Sequence, residues 1–382
     1  MSTQSTQTNA ERLGQADRVV VKIGSALFVD AETGALDRRW LEGLCEDVAE
    51  LCRAQTEVVI VSSGAVALGS RELDLDPRRA QLEDKQAAAA AGQILLAHAY
   101  QETLARFGLK AAQVLLTLDD SESRRRYLNA SRTLLTLLRC KAVPVVNEND
   151  TVATTELRYG DNDRLAARVA QMISADCLVL LSDVDGLYTS DPQRDSAAEH
   201  VPEVHEINAE IWNMAGGPGS RHGSGGMRTK LDAARIAIGA GCRMAIASGR
   251  VPRPIKALGE GARATWFLPD ATPRAARKQW IAGTLQPKGT IEVDAGAERA
   301  LKGGRSLLPA GVTAIQGSFE RGEAVRVVAS DGAEIGRGLI AYSSEEAGAI
   351  AGSQSRLIED ILGYRGRDEM IHRDDLVLTN KR

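Results

Sequence analysis

The chain has 382 residues, 43% of them hydrophobic and 26% charged, with a formal net charge of −4 and aromatics at only 4%. That length predicts two domains with ample apolar material for a core, and the charge balance speaks against a nucleic-acid or anionic-membrane partner. No apolar run reaches the eighteen or so residues of a membrane span, and the polar N-terminus has no secretory h-region.

The N-terminal stretch 1–17 reads as a disordered polar tail. Val19 to Ile23 is β-branched and predicts a strand buried on both faces, ending in Gly24-Ser25. Trp40, Leu41, Leu44, Val48 and Leu51 share one helical face, which predicts a helix over Arg38 to Arg53. Glu57 to Val61 reads as a second strand running into Ser62-Ser63-Gly64. Helix is expected from Gln81 to Phe107, strand from Gln113 to Leu118, helix from Arg124 to Arg139 and strand from Ala142 to Val146. The alternation continues with helix from Leu165 to Ser174, strand from Cys177 to Leu181, helix from Leu231 to Ala240 and strand from Cys242 to Ala247. This rhythm predicts a mostly parallel sheet with helices on both faces, a three-layer α/β/α sandwich over 18–268. Proline-punctuated sequence over 269–287 reads as a linker. Short glycine-separated β runs over 288–372 predict a small β-rich second domain, with helix at Ser344 to Ile350 and Leu357 to Leu362. The last ten residues, 373–382, read as a tail.

In an open parallel sheet, ligands bind at the carboxyl ends of the strands, and the unusual polar clusters fall there. Lys22 sits in a strand otherwise made of Val and Ile, where it needs a partner or a wet pocket unless the strand is an edge that lets it snorkel. Ser62-Ser63-Gly64 offers two hydroxyls at a helix start, a plain cap or an anion nest. Asn147-Glu148-Asn149-Asp150 and Gly160-Asp161-Asn162-Asp163 suit calcium, substrate amines, or magnesium through water, though the EF-hand pattern is not met. Asp161 can serve simply as the cap of a helix beginning at Asn162; Asp163 has no such explanation. Ser182-Asp183 adds a further polar lip. Ala215 to Lys230 packs six glycines before Met227, Arg228, Thr229 and Lys230, either a slack surface loop or a phosphate cradle feeding a helix.

Several chemistries lack their signatures. There is no GxxxxGK[ST], no GxGxxG after the first strand and no nucleophile elbow. The five cysteines form no CxxC pair, and the five histidines lack metal-ligand spacing. Lysines, carboxylates, amides and glycine loops remain, an inventory suited to phosphoryl transfer onto an acceptor that is already ionised.

The segments VVVKIGS, VIVSSGAVALG, PVVNENDTV, GDNDRLAA, LLSDVDGLYTSDP and GSGGMRTKLDAA together resemble the amino acid kinase family, in the family's order and spanning Val19 to about Ser248. KGTIEVDAGAERAL, SLLPAGV and GSFERGEAVRV resemble a PUA domain. The likeness is nearest to the branch that phosphorylates the side-chain carboxylate of L-glutamate with ATP and Mg²⁺, opening proline biosynthesis, in keeping with the cytoplasmic location expected of a chain with no CxxC pair, membrane span or secretory h-region. It implies that Lys22 and Lys230 neutralise the transferring phosphoryl group and that Asp163 orients them. It implies glutamate binding by Ser63, Gly64, Asn147, Asp150 and Asn162. It implies ATP binding by Lys22, Ser182, Asp183, Ser224, Gly225, Gly226, Met227, Thr229 and Lys230, with Mg²⁺ carried mainly by ATP and no protein metal site. Ser224 stands where some relatives have Thr and keeps the hydroxyl; Arg228 replaces a small residue and receives no role. The resemblance also implies feedback inhibition by proline and a homo-oligomer, dimer or tetramer. Two alternatives stay open: a different acceptor, such as aspartate, acetylglutamate, carbamate or uridylate, or RNA binding through the second domain. The region after Pro287 carries a charge of about −2 and few aromatics, which disfavours RNA.

Overall fold

The computed structural model describes residues 7–30, 33–76, 79–152, 162–215, 226–283 and 286–379, and the chain separates into two compact units, Met1–Pro273 and Arg274–Arg382. The first begins with α1 (Asn9–Gly14), β1 (Arg18–Ile23), α2 (Arg38–Arg53), β2 (Glu57–Ser62), α3 (Ala65–Glu72) and α4 (Leu82–Arg106). It continues with β3 (Lys110–Leu116), α5 (Leu118–Glu122), α6 (Arg124–Arg139), β4 (Ala142–Glu148), α7 (Asn162–Ile173) and β5 (Cys177–Ser182). It closes with β6 (Leu187–Tyr188), β7 (His200–Val201), β8 (Glu203–Val204), α8 (Ala209–Met214), α9 (Met227–Gly239), β9 (Arg243–Ser248), α10 (Pro254–Gly259) and β10 (Ala264–Phe267).

Eight strands form one sheet in the order β3-β4-β2-β1-β5-β9-β10-β8, parallel except for the β9–β10 pair. The expected three-layer α/β/α sandwich is what the chain forms. Alternation along β1 decides which layer each side chain meets. Val19, Val21 and Ile23 pack with Trp40 and Leu44 of α2, Leu96 of α4 and Ile255 of α10. Val20 packs on the opposite face with Leu165 and Val169 of α7 and Leu231 and Ala234 of α9. Lys22 is in phase with Val20, so it points toward the α7–α9 layer. Helices α3 and α4 cross at very close range, since a Cβ on Gly69 would lie 1.7 Å from the Ala88 carbonyl oxygen.

The second unit opens on α11 (Pro273–Gly283), followed by β11 (Gly289–Val293), α12 (Ala295–Lys302), β12 (Val312–Gly317), β13 (Ala324–Ala329), β14 (Glu334–Leu339), α13 (Ser344–Ile350), α14 (Ile358–Leu362) and β15 (Leu376–Leu378). Its sheet runs β12-β11-β13-β14-β15, antiparallel except for β11–β13. Ile291, Val293, Val325 and Val327 face a core completed by Leu301, Tyr342 and Ile350.

Three expectations need correction. The stretch 1–17 is not wholly a disordered tail, because it holds α1. Thr8 Oγ accepts from Glu11 N at 3.2 Å while Glu11 Oε2 accepts from Thr8 N at 2.8 Å, a capping box written as Thr-x-x-Glu in the sequence. The region 269–287 is no plain linker, since α11 occupies much of it and Ile281 packs on Ala324 and Leu339. The segment 373–382 contributes β15, paired to β14. Local propensity misses α11 and β15 because each packs or pairs with residues far along the chain, whereas the α1 capping box was there to be read. Helix α12, inside AGAERALK, was also absent from the sequence reading; Asp294 caps it through Ala297 N at 2.7 Å. No helix among the described residues is long and apolar enough to cross a membrane.

Candidate active site

Asp163 lies in the first turn of α7, fully buried at 0% exposure. Its carboxylate receives an ion pair from Lys22 Nζ of β1 and another from Lys230 Nζ of α9, the latter at 3.0 Å. Both lysines are buried, at 5% and 4% exposure. Thus three elements, β1, α7 and α9, converge on one carboxylate, as the strand alternation requires. Burial by itself pushes the Asp163 carboxyl up, but the Lys22 and Lys230 charges and hydrogen bonds outweigh it and hold the group below its ordinary value. Two buried ammoniums thus converge on one carboxylate, an arrangement suited to receiving an anion.

The N-terminus of α9 adds to that demand. Gly226 is its N-cap, extended and without a side chain to satisfy the first amides. Thr229 Oγ lies 2.7 Å from Gly226 O and 3.3 Å from Asp163 Oδ2, tying this turn to the lysine cluster. Met227 is half-buried beside it. Ser224 and Gly225 lie outside the described residues, as does Asp161. Arg228 is exposed, with its guanidinium 5.9 Å from the ring centre of Trp212. At the end of β5, Ser182 Oγ donates to Asp183 Oδ1 at 3.0 Å, and Arg250 Nε donates to the Asp183 carbonyl at 3.2 Å.

A second set of polar side chains meets across the ends of β2 and β4. The Asn162 amide nitrogen is shared among Ser63 Oγ at 2.7 Å, Asn147 Oδ1 at 3.0 Å and the Ser62 carbonyl at 3.0 Å. Asn147 Oδ1 also accepts from Glu148 N at 2.9 Å. Gly64 caps α3 with φ of 103°, and a Cβ there would come 3.1 Å from Val29 Cγ2 as well as straining the backbone. Asp150 sits half-buried in the turn after β4. Because Asn162 and Asp163 are adjacent on α7, the amide cluster and the lysine cluster share one scaffold.

Two members of this shell escaped the sequence reading. Gln93 Oε1, in α4, accepts from Asn147 Nδ2 at 2.8 Å, and the Tyr100 hydroxyl lies 2.9 Å from Ser62 Oγ. The signal was present: Gln93 falls on the helical face of Ala89, Leu96 and Tyr100, where a lone polar side chain requires a buried partner. The buried thiols offer no rival chemistry, since burial pushes both Cys45 and Cys177 up to about 12.

The chain matches the amino acid kinase family over residues 17–248 and the PUA domain over 289–362. It is 62% identical to a glutamate 5-kinase of Paramagnetospirillum magneticum, across 96% of this chain and 99% of that one. The chain belongs to the amino acid kinase family. Its glutamate 5-kinase relatives include one from Rhodospirillum rubrum, 58% identical over 95% of this chain and 96% of the relative. Another, from Agrobacterium fabrum, is 56% identical over 96% of this chain and 94% of the relative. Relatives at this identity span both units, so this amino acid kinase shares their whole two-part organisation.

Proposed function

We propose that the chain transfers the γ-phosphoryl group of ATP to the side-chain carboxylate of L-glutamate, giving L-glutamyl 5-phosphate and ADP, the opening step of proline biosynthesis. The observation that carries this reading is the pair of buried ammoniums sharing the single Asp163 carboxylate. A glutamate oxygen attacks the γ-phosphorus, the bond to the β-phosphate oxygen breaks, and ADP leaves. The acceptor has a pKa of about 4.3, so it is already anionic and no general base is required. In this reading Lys22 and Lys230 neutralise charge on the transferring group, worth most when the site is dry. Asp163 holds both side chains in place. The α9 amides, Gly226, Met227 and Thr229, with Ser182 and Asp183 opposite, receive the nucleotide; Ser224 and Gly225 belong to the same proposed segment. Ser63, Gly64, Asn147 and Asn162 orient glutamate, and the Asp150 carboxylate meets its α-ammonium.

Mg²⁺ belongs to the proposal as a companion of ATP. Among the described residues no group of three His, Cys, Asp or Glu side chains could hold a metal, and Asp163 is engaged by both lysines. Proline is proposed as an inhibitor overlapping the glutamate pocket, and a cytoplasmic homo-oligomer as the working form. The deciding experiment measures glutamate-dependent ADP release with hydroxylamine trapping of the acyl phosphate. Hydroxamate formation with glutamate is expected. Turnover with aspartate, acetylglutamate, carbamate or uridylate but not with glutamate would overturn the reading.

A further inference from the structure

The outward face of the second unit's sheet carries a feature that the kinase chemistry does not use. An open cleft of about 560 Å³ is lined by Lys288, Thr290, Gln316, Arg326, Glu334 and Arg337 among others. Strand register builds it. Val325 and Val327 turn into the core, so Arg326 between them points outward. Arg326 stands directly opposite Arg337 on β14 and in register with Thr290 on β11, which in turn pairs with Gln316 on β12. Two guanidiniums therefore face each other across neighbouring strands, a like-charge pairing that destabilises a sheet unless something neutralises it. Arg337 Nε donates to Glu334 Oε1 at 2.9 Å, and Arg326 Nη2 donates to Thr290 Oγ at 3.0 Å. Among the described residues no carboxylate forms an ion pair with Arg326 or Lys288. Three cations against one carboxylate leave a local excess of two positive charges, on a region whose own sum is about −2.

We propose that this cleft is a binding site for a phosphoryl dianion, carried either by a small phosphorylated metabolite or by free phosphate. The charge matches a doubly ionised phosphate better than a single carboxylate. Paired guanidinium forks suit its oxygens, with the Thr290 hydroxyl and Gln316 amide as neutral partners. The cleft volume falls within the range that accommodates a small metabolite as well as the bare ion.

The test is equilibrium dialysis of full-length protein against inorganic phosphate and against glycerol phosphate. Three forms are compared: the unaltered chain, Arg326→Gln with Arg337→Gln, and Lys22→Met with Lys230→Met. Both arginines reach the surface, so their replacement spares the core, and circular dichroism checks the fold. The expected result is saturable binding that the arginine variant weakens by about tenfold or more and the lysine variant leaves in place. An Arg326→Lys, Arg337→Lys form keeps the charge but loses the forks, and should recover only part of the affinity. Tighter binding of glycerol phosphate assigns the site to a metabolite, and equal binding assigns it to the free ion. Loss of binding in the lysine form alone would place the anion at the kinase site and overturn the proposal. So would the absence of saturable binding. An RNA oligonucleotide binding at least about a hundredfold tighter than either probe, through the same arginines, would replace a small ligand with nucleic acid and also overturn it.

Discussion

Replacing Asp163 with Asn tests the centre of the proposed mechanism. The substitution keeps the shape but removes the carboxylate that Lys22 and Lys230 share, taking one counter-charge from two buried ammoniums. At 3.0 Å and an effective dielectric of about 20, one such ion pair has a gross attraction of roughly 5 kcal/mol, much of it offset by desolvation. Removing one partner of a buried ion pair costs about 3–5 kcal/mol, and the loss of a carboxylate shared by two lysines puts this variant at the upper end. Urea unfolding of the first unit, followed by tryptophan fluorescence, should show the loss. Adding Lys22→Met to Asp163→Asn should restore at least about 2 kcal/mol, because it removes one of the two ammoniums that lose the Asp163 charge. The pH dependence has a definite sign. A carboxylate whose folded pKa is depressed contributes stability that is fully present above its unfolded value of about 3.9 and lost as pH falls through the folded value. The gap between the unaltered chain and Asp163→Asn should therefore be widest near neutrality and close in strong acid. A variant within about 0.5 kcal/mol of the parent at pH 7, or no recovery on removing Lys22, would refute the reasoning.

Lys230→Ala should lower kcat by about 10²–10³-fold in steady-state ADP release while glutamate still binds, since its charge acts mainly in the transition state; a change confined to KM for ATP would contradict that role. Gln93→Ala should raise KM for glutamate several-fold with kcat nearly kept, because it frees the Asn147 amide that orients the pocket; Gln93→Glu, which retains an acceptor, should recover most of the loss. Gly69→Val should destabilise the first unit by more than about 3 kcal/mol in thermal unfolding, as even its Cβ would overlap the Ala88 carbonyl of α4.

The sandwich was legible because its central strands are buried on both faces and helices such as α2, α6 and α7 are strongly amphipathic. For α2 and α6 the apolar stripe gave both ends as well as the type. Lys22 was legible for a different reason: an ammonium in a Val-Ile strand has to find a counter-charge. What periodicity could not supply was the identity of that partner, which arrives from another helix through the sheet's topology. Periodicity starts α9 only at Leu231, four residues late, because Met227-Arg228-Thr229-Lys230 has no apolar stripe and its turn is held by contacts to Asp163. Edge strand β3 was likewise displaced, since exposed Lys110 carries no burial signal though it pairs with Ala142.

The short helix ahead of the first strand has a practical implication for anyone trimming this chain. Asn9 bridges the Ala262 carbonyl at 2.9 Å and the Trp266 indole nitrogen at 2.8 Å, while Arg12 lies over the Trp266 ring and pairs with Glu203. These residues fasten the two strands at the border of the first unit's sheet, β10 and β8, to the earliest described part of the chain. A version cut at Arg18 would keep every residue of the candidate active site yet uncover an indole that is only 2% exposed. Asn9 and Arg12 thus act as a clasp on the sheet's far border, and a shortened protein that aggregates would be reporting a lost seam rather than a damaged catalyst.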